Sequence, residues 1–155
     1  MAQNTIKSIS DIQIAVKAEL EKNTYFVTHG CNILIENAKD IEFQIKNAMG
    51  SLGIVATVAT PTLTYRGDYS DEEGKSPYWE MTSMNVVIVE NPTLNRGRAN
   101  YTTALDAALQ VAETLNCIPG ICNSTITQST NGGLVVVSVA LKTNIVFALE
   151  KETQE

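Results

Sequence analysis

The sequence predicts an α+β fold in which an antiparallel sheet with long hairpins carries helices packed on one face. Three segments with apolar residues at helical spacing alternate with two pairs of long segments rich in Val, Ile and Thr. This element order favours helices segregated on one side of an antiparallel sheet. The length of 155 residues fits a single domain, 1–155, in which we expect the termini 1–7 and 148–155 to fray.

The first two helices are indicated by their boundary residues as well as by their spacing. Ser8 and Asp11 match a capping box at the start of a segment that runs to about Lys22. The second helix is predicted to begin after Asn37 and to end at Gly53. Between them, the segments 25–27 and 33–35 are rich in β-favouring residues and predict one strand or two strand fragments.

Two long strands are predicted at 54–65 and 78–90, where Val and Thr dominate. The stretch between them, 66–77, is polar and is expected to form a solvated hairpin loop, so the two strands should be antiparallel neighbours. This loop carries four carboxylates, which we expect to be exposed there or to line the lumen of an assembly: Asp68, Asp71, Glu72 and Glu73.

The last part of the chain is predicted to form a helix followed by a second hairpin. Thr103 and Asp106 match a capping box at the start of a helix over 103–116, and 124–130 and 134–147 flank a glycine pair typical of tight hairpin turns. Strands of twelve or more residues reach about 40 Å, so we expect both hairpins to project and to contact partners. The apolar face of the helix is predicted to comprise Leu105, Ala108, Leu109, Ala112 and Leu115.

Composition bounds the classes of function. Hydrophobic residues make up 44% of the chain and charged residues 18%, as in packed globular proteins. The net charge of −6 disfavours a surface that binds phosphate backbones. The polar start MAQNTIKSIS lacks the apolar region of a signal peptide, and three scattered cysteines do not suggest a disulfide framework. These features predict a protein of the cytosol.

The residue types that carry chemistry do not form a known catalytic pattern. His29 is the single histidine, and with Cys31 it matches no zinc spacing. The glycines form neither a dinucleotide-binding nor a P-loop motif. We therefore predict that the protein is not an enzyme and has no catalytic, cofactor-binding or metal site, and that replacing His29 or Cys31 by Ala leaves function intact.

Aromatic and arginine residues instead indicate protein contacts, since these types are enriched at interface hot spots. Arg96 and Arg98 are expected to lie in an exposed loop, where charge reversal should weaken assembly and leave the monomer folded. The candidate interface residues are Arg66, Trp79, Asn95, Arg96 and Arg98.

The segment NVVIVENPTLNRG at 85–97, the helix before Gly53 and Ile54, and the helix that begins near Thr103 resemble the tail terminator and tail-completion proteins of long-tailed bacteriophages. The resemblance covers about 8–147. It implies a structural virion protein without enzyme activity, which forms a ring, usually of six subunits, that caps the tail tube, stops its polymerisation and offers a docking face to the head.

The partners implied by the resemblance are further copies of the chain in a hexameric ring, the tail tube protein and the head-tail connector. DNA would pass through without specific binding, and no membrane is involved. The protein would be found in the virion, and in the host cytoplasm during assembly. Three alternatives stay open: a head-tail connector or neck protein, a small enzyme with a site at His29, Cys31 and the acidic loop, and a ligand-binding adaptor.

Overall fold

The computed structural model describes residues 4–71 and 74–150, and for 68–71 and 74–77 it describes the backbone alone. Helical segments are α1 (Ile9–Glu21), α2 (Tyr25–Thr28), α3 (Ile41–Ser51), α4 (Pro92–Asn95) and α5 (Ala104–Leu115). Strands are β1 (Asn4–Ile6), β2 (Asn32–Ile35), β3 (Ile54–Val58), β4 (Thr62–Asp71), β5 (Gly74–Glu90), β6 (Ile121–Asn131) and β7 (Leu134–Leu149). None of these helices is long and apolar enough to cross a membrane.

The strands form one mixed, mostly antiparallel sheet built around β5 and β7. These two long strands pair antiparallel from Trp79 opposite Phe147 to Glu90 opposite Val135. On its other side β5 pairs with β4 along its first half and with β3 along its second half. On the far side of β7 lie β6 and, in parallel, β1, while β2 pairs in parallel with β3. The predicted α+β class is therefore confirmed.

The core lies between the sheet and the helices α1 and α5. Alternate residues of the central strands, such as Val86 and Ile88 of β5 and Val137 and Val139 of β7, are completely buried. Since side chains of a strand alternate between faces, these residues form one continuous apolar surface beneath the helices. From α1 the buried side chains are Ile12, Gln13, Val16 and Leu20, and from α5 they are Ala104, Ala107, Ala108, Val111, Ala112 and Leu115.

Several local predictions are confirmed. The Asp11 carboxylate accepts hydrogen bonds from the backbone N–H groups of Lys7 and Ser8, which caps α1. The Thr103 hydroxyl oxygen accepts a hydrogen bond from the N–H of Asp106 at the start of α5. In the turn between β6 and β7, Gly132 and Gly133 both have positive φ angles, +58° and +82°, as a two-residue turn of the I′ type requires.

Other predictions for the first half of the chain are wrong. Residues 25–27 form part of α2 and not a strand, because Phe26 is buried in the core and Tyr25 bonds through its hydroxyl to Thr102. The strand predicted over 54–65 is interrupted between β3 and β4, near Pro61, which lacks an N–H for a sheet ladder.

The prediction of a loop over 66–77 is also wrong, because β4 and β5 extend into this segment and stay paired as far as Asp71 opposite Gly74. Glu72 and Glu73 lie outside the described residues. At the termini, residues 4–6 form β1 instead of fraying, and β7 continues to Leu149. The segment PTLNRGRAN, predicted as a loop, begins with the short helix α4.

The predicted apolar face of α5 is partly wrong. Leu105 and Leu109 are about half exposed, at 48% and 52%, whereas alanines fill most of the contact with the sheet. Small side chains allow the helix to approach the sheet closely, so the larger leucines lie at its side. The two leucines, one turn apart, therefore belong to the surface of the protein.

Candidate functional site

A projecting hairpin, called the arm here, comprises 66–71 of β4 and 74–78 of β5. The first β5 residue with a partner on β7 is Trp79, and closer to the tip β5 pairs, among the described residues, only with β4. Five residues of strand extend roughly 16 Å at about 3.3 Å per residue. The pairing shifts between Tyr65 and Asp68, and Gly67 has a φ of +95°. Such an irregularity bends the strand that carries it and increases the local twist at the base of the arm.

The base of the arm presents aromatic and charged side chains to solvent. Tyr65 and Trp79 face each other across β4 and β5 with ring centroids 5.4 Å apart in an edge arrangement. Tyr65 is 50% exposed and Trp79 38%. Next to them the Arg66 Nε donates a hydrogen bond to Glu80 Oε2 at 2.6 Å. Two of the predicted interface residues, Arg66 and Trp79, thus lie at the base of the arm with side chains that are 47% and 38% exposed.

The other three predicted interface residues surround a buried carboxylate at the opposite end of β5. Glu90 is completely buried. Its Oε2 accepts hydrogen bonds from Asn95 Nδ2 at 2.7 Å and from Arg96 Nε at 3.0 Å. Its Oε1 accepts one from the backbone N–H of Ala104 at 3.0 Å. One carboxylate therefore joins the end of β5, the α4 region and the start of α5.

The charge of Glu90 is favoured by these contacts. Burial alone would raise the pKa of this carboxyl, but hydrogen bonds from Arg96, the Ala104 N–H and Asn95 act together against it. The pKa of Glu90 consequently lies below its usual range. The carboxylate is ionised at neutral pH and holds the loop that follows β5.

This lowered pKa predicts that stability falls in acid. A carboxyl with a lower pKa in the folded than in the unfolded state contributes stability that is present above the unfolded value, about 4.3 for Glu, and is lost as the pH falls through the folded value. We expect the free energy of unfolding, measured with urea between about pH 7 and pH 3, to drop more in the wild type than in Glu90→Gln. Equal drops in the two proteins would contradict a lowered pKa of Glu90 in the folded protein.

Asn95 and Arg98 extend the network toward α2. The Asn95 Nδ2 also donates to the carbonyl oxygen of Thr102, and its Oδ1 accepts from Arg98 Nη2, both at 2.7 Å. The same Nη2 donates to the carbonyl oxygens of His29 and Gly30, at 3.3 and 3.5 Å. The network therefore ties the segment after β5 to the segment before β2.

These contacts correct the interface prediction. Asn95 is completely buried and cannot contact a partner through its side chain. Arg98 is partly buried and bonded internally, and Arg96 pairs with Glu90 while its side chain stays 47% exposed. Charge reversal at Arg96 would place a second carboxylate beside Glu90, so the expectation that the monomer stays folded conflicts with the structure. An interface role for Arg66, Trp79 and Arg96 stays a prediction.

Glu90 itself was missed by the sequence reasoning, although a signal was present. The core-facing residues of β5 alternate as Met84, Val86 and Ile88, and Glu90 continues that series. An acidic residue at a core-facing position needs hydrogen-bond donors nearby, and Arg96 and Asn95 follow within six residues. Applied to this segment, the alternation rule would have indicated a buried carboxylate with donors close by in the sequence.

The residues of the enzyme alternative lie far apart. Cys31 directly precedes Asn32 of β2, which pairs with Val55 of β3, and Val55 in turn pairs with Val89 near the end of β5. Asp71 of the acidic segment instead pairs with Gly74, at the beginning of β5. Val89 and Gly74 are fifteen residues apart on β5, which corresponds to about 50 Å of strand. His29 Nδ1 lies 2.7 Å from the carbonyl oxygen of Asn100, and burial raises the pKa of Cys31 to about 12. Within 4–71 and 74–150, no cluster of three His, Cys, Asp or Glu residues could hold a metal ion.

A groove of about 710 Å³ lies on the helical face, between α1, the C-terminal end of α5 and the sheet. Its lining is mainly apolar and includes Ile12, Met81, Met84 and Phe147. The carboxylate of Asp11, also in the lining, already accepts two backbone hydrogen bonds at the α1 cap. The groove thus presents mainly apolar surface, and its lining also includes Glu19 and the free cysteine Cys117.

Comparison with known proteins does not identify a relative. No family model matches the sequence, and no curated protein matches it. Solved structures that align with the chain include biotin protein ligase from Leishmania major in complex with biotinyl-5-AMP, at 6% identity and a TM-score of 0.27 over 72% of this chain and 55% of the ligase. The catalytic domain of histidine kinase ThkA aligns at 12% identity and a TM-score of 0.27 over 87% of this chain and 92% of that domain. Likenesses this weak carry no argument about fold or function.

Proposed function

We propose that this chain is a structural subunit that works by assembling with other proteins. The observation that carries the proposal is the arm. Among the described residues the arm consists of two strands, an arrangement that is only marginally stable by itself in water, and it has exposed aromatic rings at its base. A partner that covers the arm would both stabilise it and use the Tyr65 and Trp79 surface as an anchor.

The particular role that we propose is that of a tail terminator of a long-tailed bacteriophage. Such a subunit forms a ring, caps the tail tube, stops its polymerisation and joins the tail to the head. The resemblance of the segment 85–97 to this class supports the proposal. So does the net charge of −6, because an acidic channel wall repels DNA and allows it to pass without binding.

The test is to add the purified protein to polymerising tail-tube subunits and to image the product by negative stain. We expect rings at one tube end and tubes of limited length. Tubes that keep growing to uncontrolled length in excess protein would overturn termination. Binding to head connectors without binding to tubes would indicate the connector role instead.

A variant without the arm gives the matched control. In it, a two-residue Asn-Gly turn replaces 67–77, which leaves Trp79 and the pairing of β5 with β7 in place. We expect this variant to fold, with an unchanged far-UV spectrum, and to lose ring formation. A variant that still forms rings and caps tubes would show that the arm does not carry assembly.

A further inference from the structure

Within the described part of the chain, one row of apolar side chains crosses five strands and ends in an isoleucine at each edge of the sheet. The row runs from Ile126 of β6 through Val139, Val86 and Val58 to Ile35 of β2. The valines are completely buried, whereas the two isoleucines are only partly buried. At this level β6 and β2 are therefore the two edges, and each leaves an apolar side chain incompletely covered.

The β6 edge lacks the features by which proteins block edge pairing. Its sequence, ICNSTITQSTN, contains neither a charged residue nor proline, and most of its residues are exposed. Asn131 faces Leu134 across the two-residue turn, so its backbone N–H and C=O groups point to β7. Because these groups alternate in direction along a strand, those of Ile126, Gln128 and Thr130 point away from β7.

The β2 edge is also uncharged and lies on the opposite side of the sheet. Its sequence is NILI. The N–H of Glu36 donates to the carbonyl oxygen of Val58 on β3 at 3.0 Å, so the backbone groups of Ile33 and Ile35 point to the outer side. The carbonyl oxygen of Ile35 accepts a hydrogen bond from the N–H of Ala38. Both backbone groups of Ile33 and the N–H of Ile35 are therefore directed to a further strand.

A groove of about 370 Å³ lies beside this edge, between β2 and the helices α1 and α2. Its lining includes Ile33 and Leu34 of β2 and Val27 of α2, and Val27 is 81% exposed. The two helices thus leave space next to β2, where an added strand would lie about 4.8 Å away.

The strand β4 lies on the same side of β5 as β2 but does not match β6. It pairs with the first half of β5, whereas β6 and β2 are both level with the second half. It also carries Arg66, Asp68 and Asp71 and an irregular register. Charged residues and bulges oppose edge pairing. Level and charge together therefore select β2 as the edge that fits β6.

Strand direction is consistent with this choice. β6 runs parallel to β5, because each is antiparallel to β7, whereas β2 is parallel to β3 and hence antiparallel to β5. When two copies stand side by side with their strands in the same direction, β6 of one meets β2 of the next in antiparallel orientation. At equal level Ile126 then lies opposite Ile35 and Gln128 opposite Ile33, and all four direct backbone groups to the contact.

We propose that β6 of one subunit pairs antiparallel with β2 of the next, with Ile126 beside Ile35, and joins the two sheets into one. The contact is head-to-tail, since it uses two different edges, and such contacts generate a ring when the rotation closes. This pairing rests on the proposed assembly function and names the contact between its subunits. Ring formation then depends on two contacts, the paired edges and the arm.

Disulfide cross-linking tests the pairing and its register. The background variant is Cys117→Ser with Cys122→Ser, which removes the two exposed thiols and leaves the buried Cys31. Into it we would place Ser129→Cys on β6 or Asn32→Cys on β2, two exposed positions that belong to one row of the sheet. In the proposed contact they form a non-hydrogen-bonded pair with Cα atoms about 4.5 Å apart, within the range of a disulfide.

The register control is Thr127→Cys, at an exposed position two residues from Ser129 on the same strand. Thr127 would lie diagonally from Asn32, roughly 7 to 8 Å away, and should cross-link to Asn32→Cys far less. All variants are oxidised under mild conditions, as purified protein and on tail tubes.

We expect disulfide-linked dimers when the Ser129→Cys and Asn32→Cys variants are mixed, and a ladder of oligomers from the variant that carries both. Equal dimer formation by Ser129→Cys alone would show symmetric pairing of β6 with β6 and would overturn the proposal. Capped tubes without any disulfide would overturn the pairing and leave termination intact. Ladders together with tubes of uncontrolled length would overturn termination and leave the pairing intact. A chain that stays monomeric even on tubes would overturn both.

A proline on the β6 edge gives a second readout. The N–H of Gln128 points away from β7, so Gln128→Pro removes a donor from the edge and no hydrogen bond to β7. We expect this variant to fold, as checked by thermal unfolding, and to weaken self-association about tenfold in sedimentation. Gln128→Ala keeps the N–H and should change self-association far less. Equal self-association of the two folded variants would contradict pairing through this edge.

Discussion

Replacing Glu90 by Gln is expected to lower the free energy of unfolding by about 3 kcal/mol, because the completely buried carboxylate accepts hydrogen bonds from Asn95, Arg96 and Ala104, and a hydrogen bond to a charged group contributes roughly 1.5 to 3 kcal/mol. The substitution keeps the shape of the side chain but removes its charge. The amide oxygen of Gln can replace only one of the two carboxylate oxygens, so its NH2 group faces either the Asn95 side-chain donor or the Ala104 N–H, and that donor lacks an acceptor. For a chain of this length the melting temperature should fall by roughly 6 to 12 °C.

The matched control is Glu80→Gln on the same strand. Glu80 pairs with Arg66, whose side chain is 47% exposed, and exposed ion pairs contribute less than about 1 kcal/mol. Urea unfolding at neutral pH should therefore separate the two variants clearly. If Glu90→Gln is as stable as Glu80→Gln, the network does not hold the segment after β5, and the burial of Glu90 would need another explanation.

Replacing Gly53 by Ala should have an effect of similar size, about 3 kcal/mol of destabilisation. Gly53 has a φ of +76°, a conformation that costs other residues roughly 1 to 2 kcal/mol. A Cβ at this position would also lie 2.8 Å from the backbone nitrogen of Asn95 and 3.2 Å from the carbonyl oxygen of Asn91. Because both neighbours are backbone atoms, relief requires α4 to move away from the end of α3.

Gly50 provides the control three residues earlier. It lies inside α3, and a Cβ there would meet no atom within 4 Å. Gly50→Ala should therefore stabilise the protein by up to about 1 kcal/mol, through the higher helix propensity of alanine. Thermal unfolding of both variants gives the comparison. A Gly53→Ala protein that melts at or above the wild-type temperature would contradict the close contact with α4.

The two substitutions act on the same part of the molecule from different sides. Gly53 allows the backbone of α4 to approach β3, where the N–H of Asn91 donates to the Gly53 carbonyl oxygen at 2.7 Å. Glu90 fixes the same segment through side chains. We expect their effects to be coupled and not additive, since both report the docking of one loop.

Local signals in the sequence were sufficient to predict those helices and turns whose boundaries depend on residues close by in the chain. Asp11 caps α1 and Thr103 caps α5 across three or four residues, and the Gly132 and Gly133 turn is set by its own backbone angles. The α+β class followed from the order of these elements. For the candidate site, the sequence predicted an interface role for Trp79 and Arg66 from their residue types; the structure gives both side chains partial exposure, and the role itself stays a prediction.

Only the tertiary structure decided those conformations, burials and hydrogen bonds that depend on residues distant in the chain. Phe26 adopts a short helix despite its strand propensity because the core receives its ring, and Leu105 is exposed because alanines occupy the contact of α5 with the sheet. Arg98 is held by the carbonyl oxygens of His29 and Gly30, nearly 70 residues earlier. A pattern of residue types records neither these contacts nor their energies, because burial and hydrogen bonding arise only when separate segments are brought together.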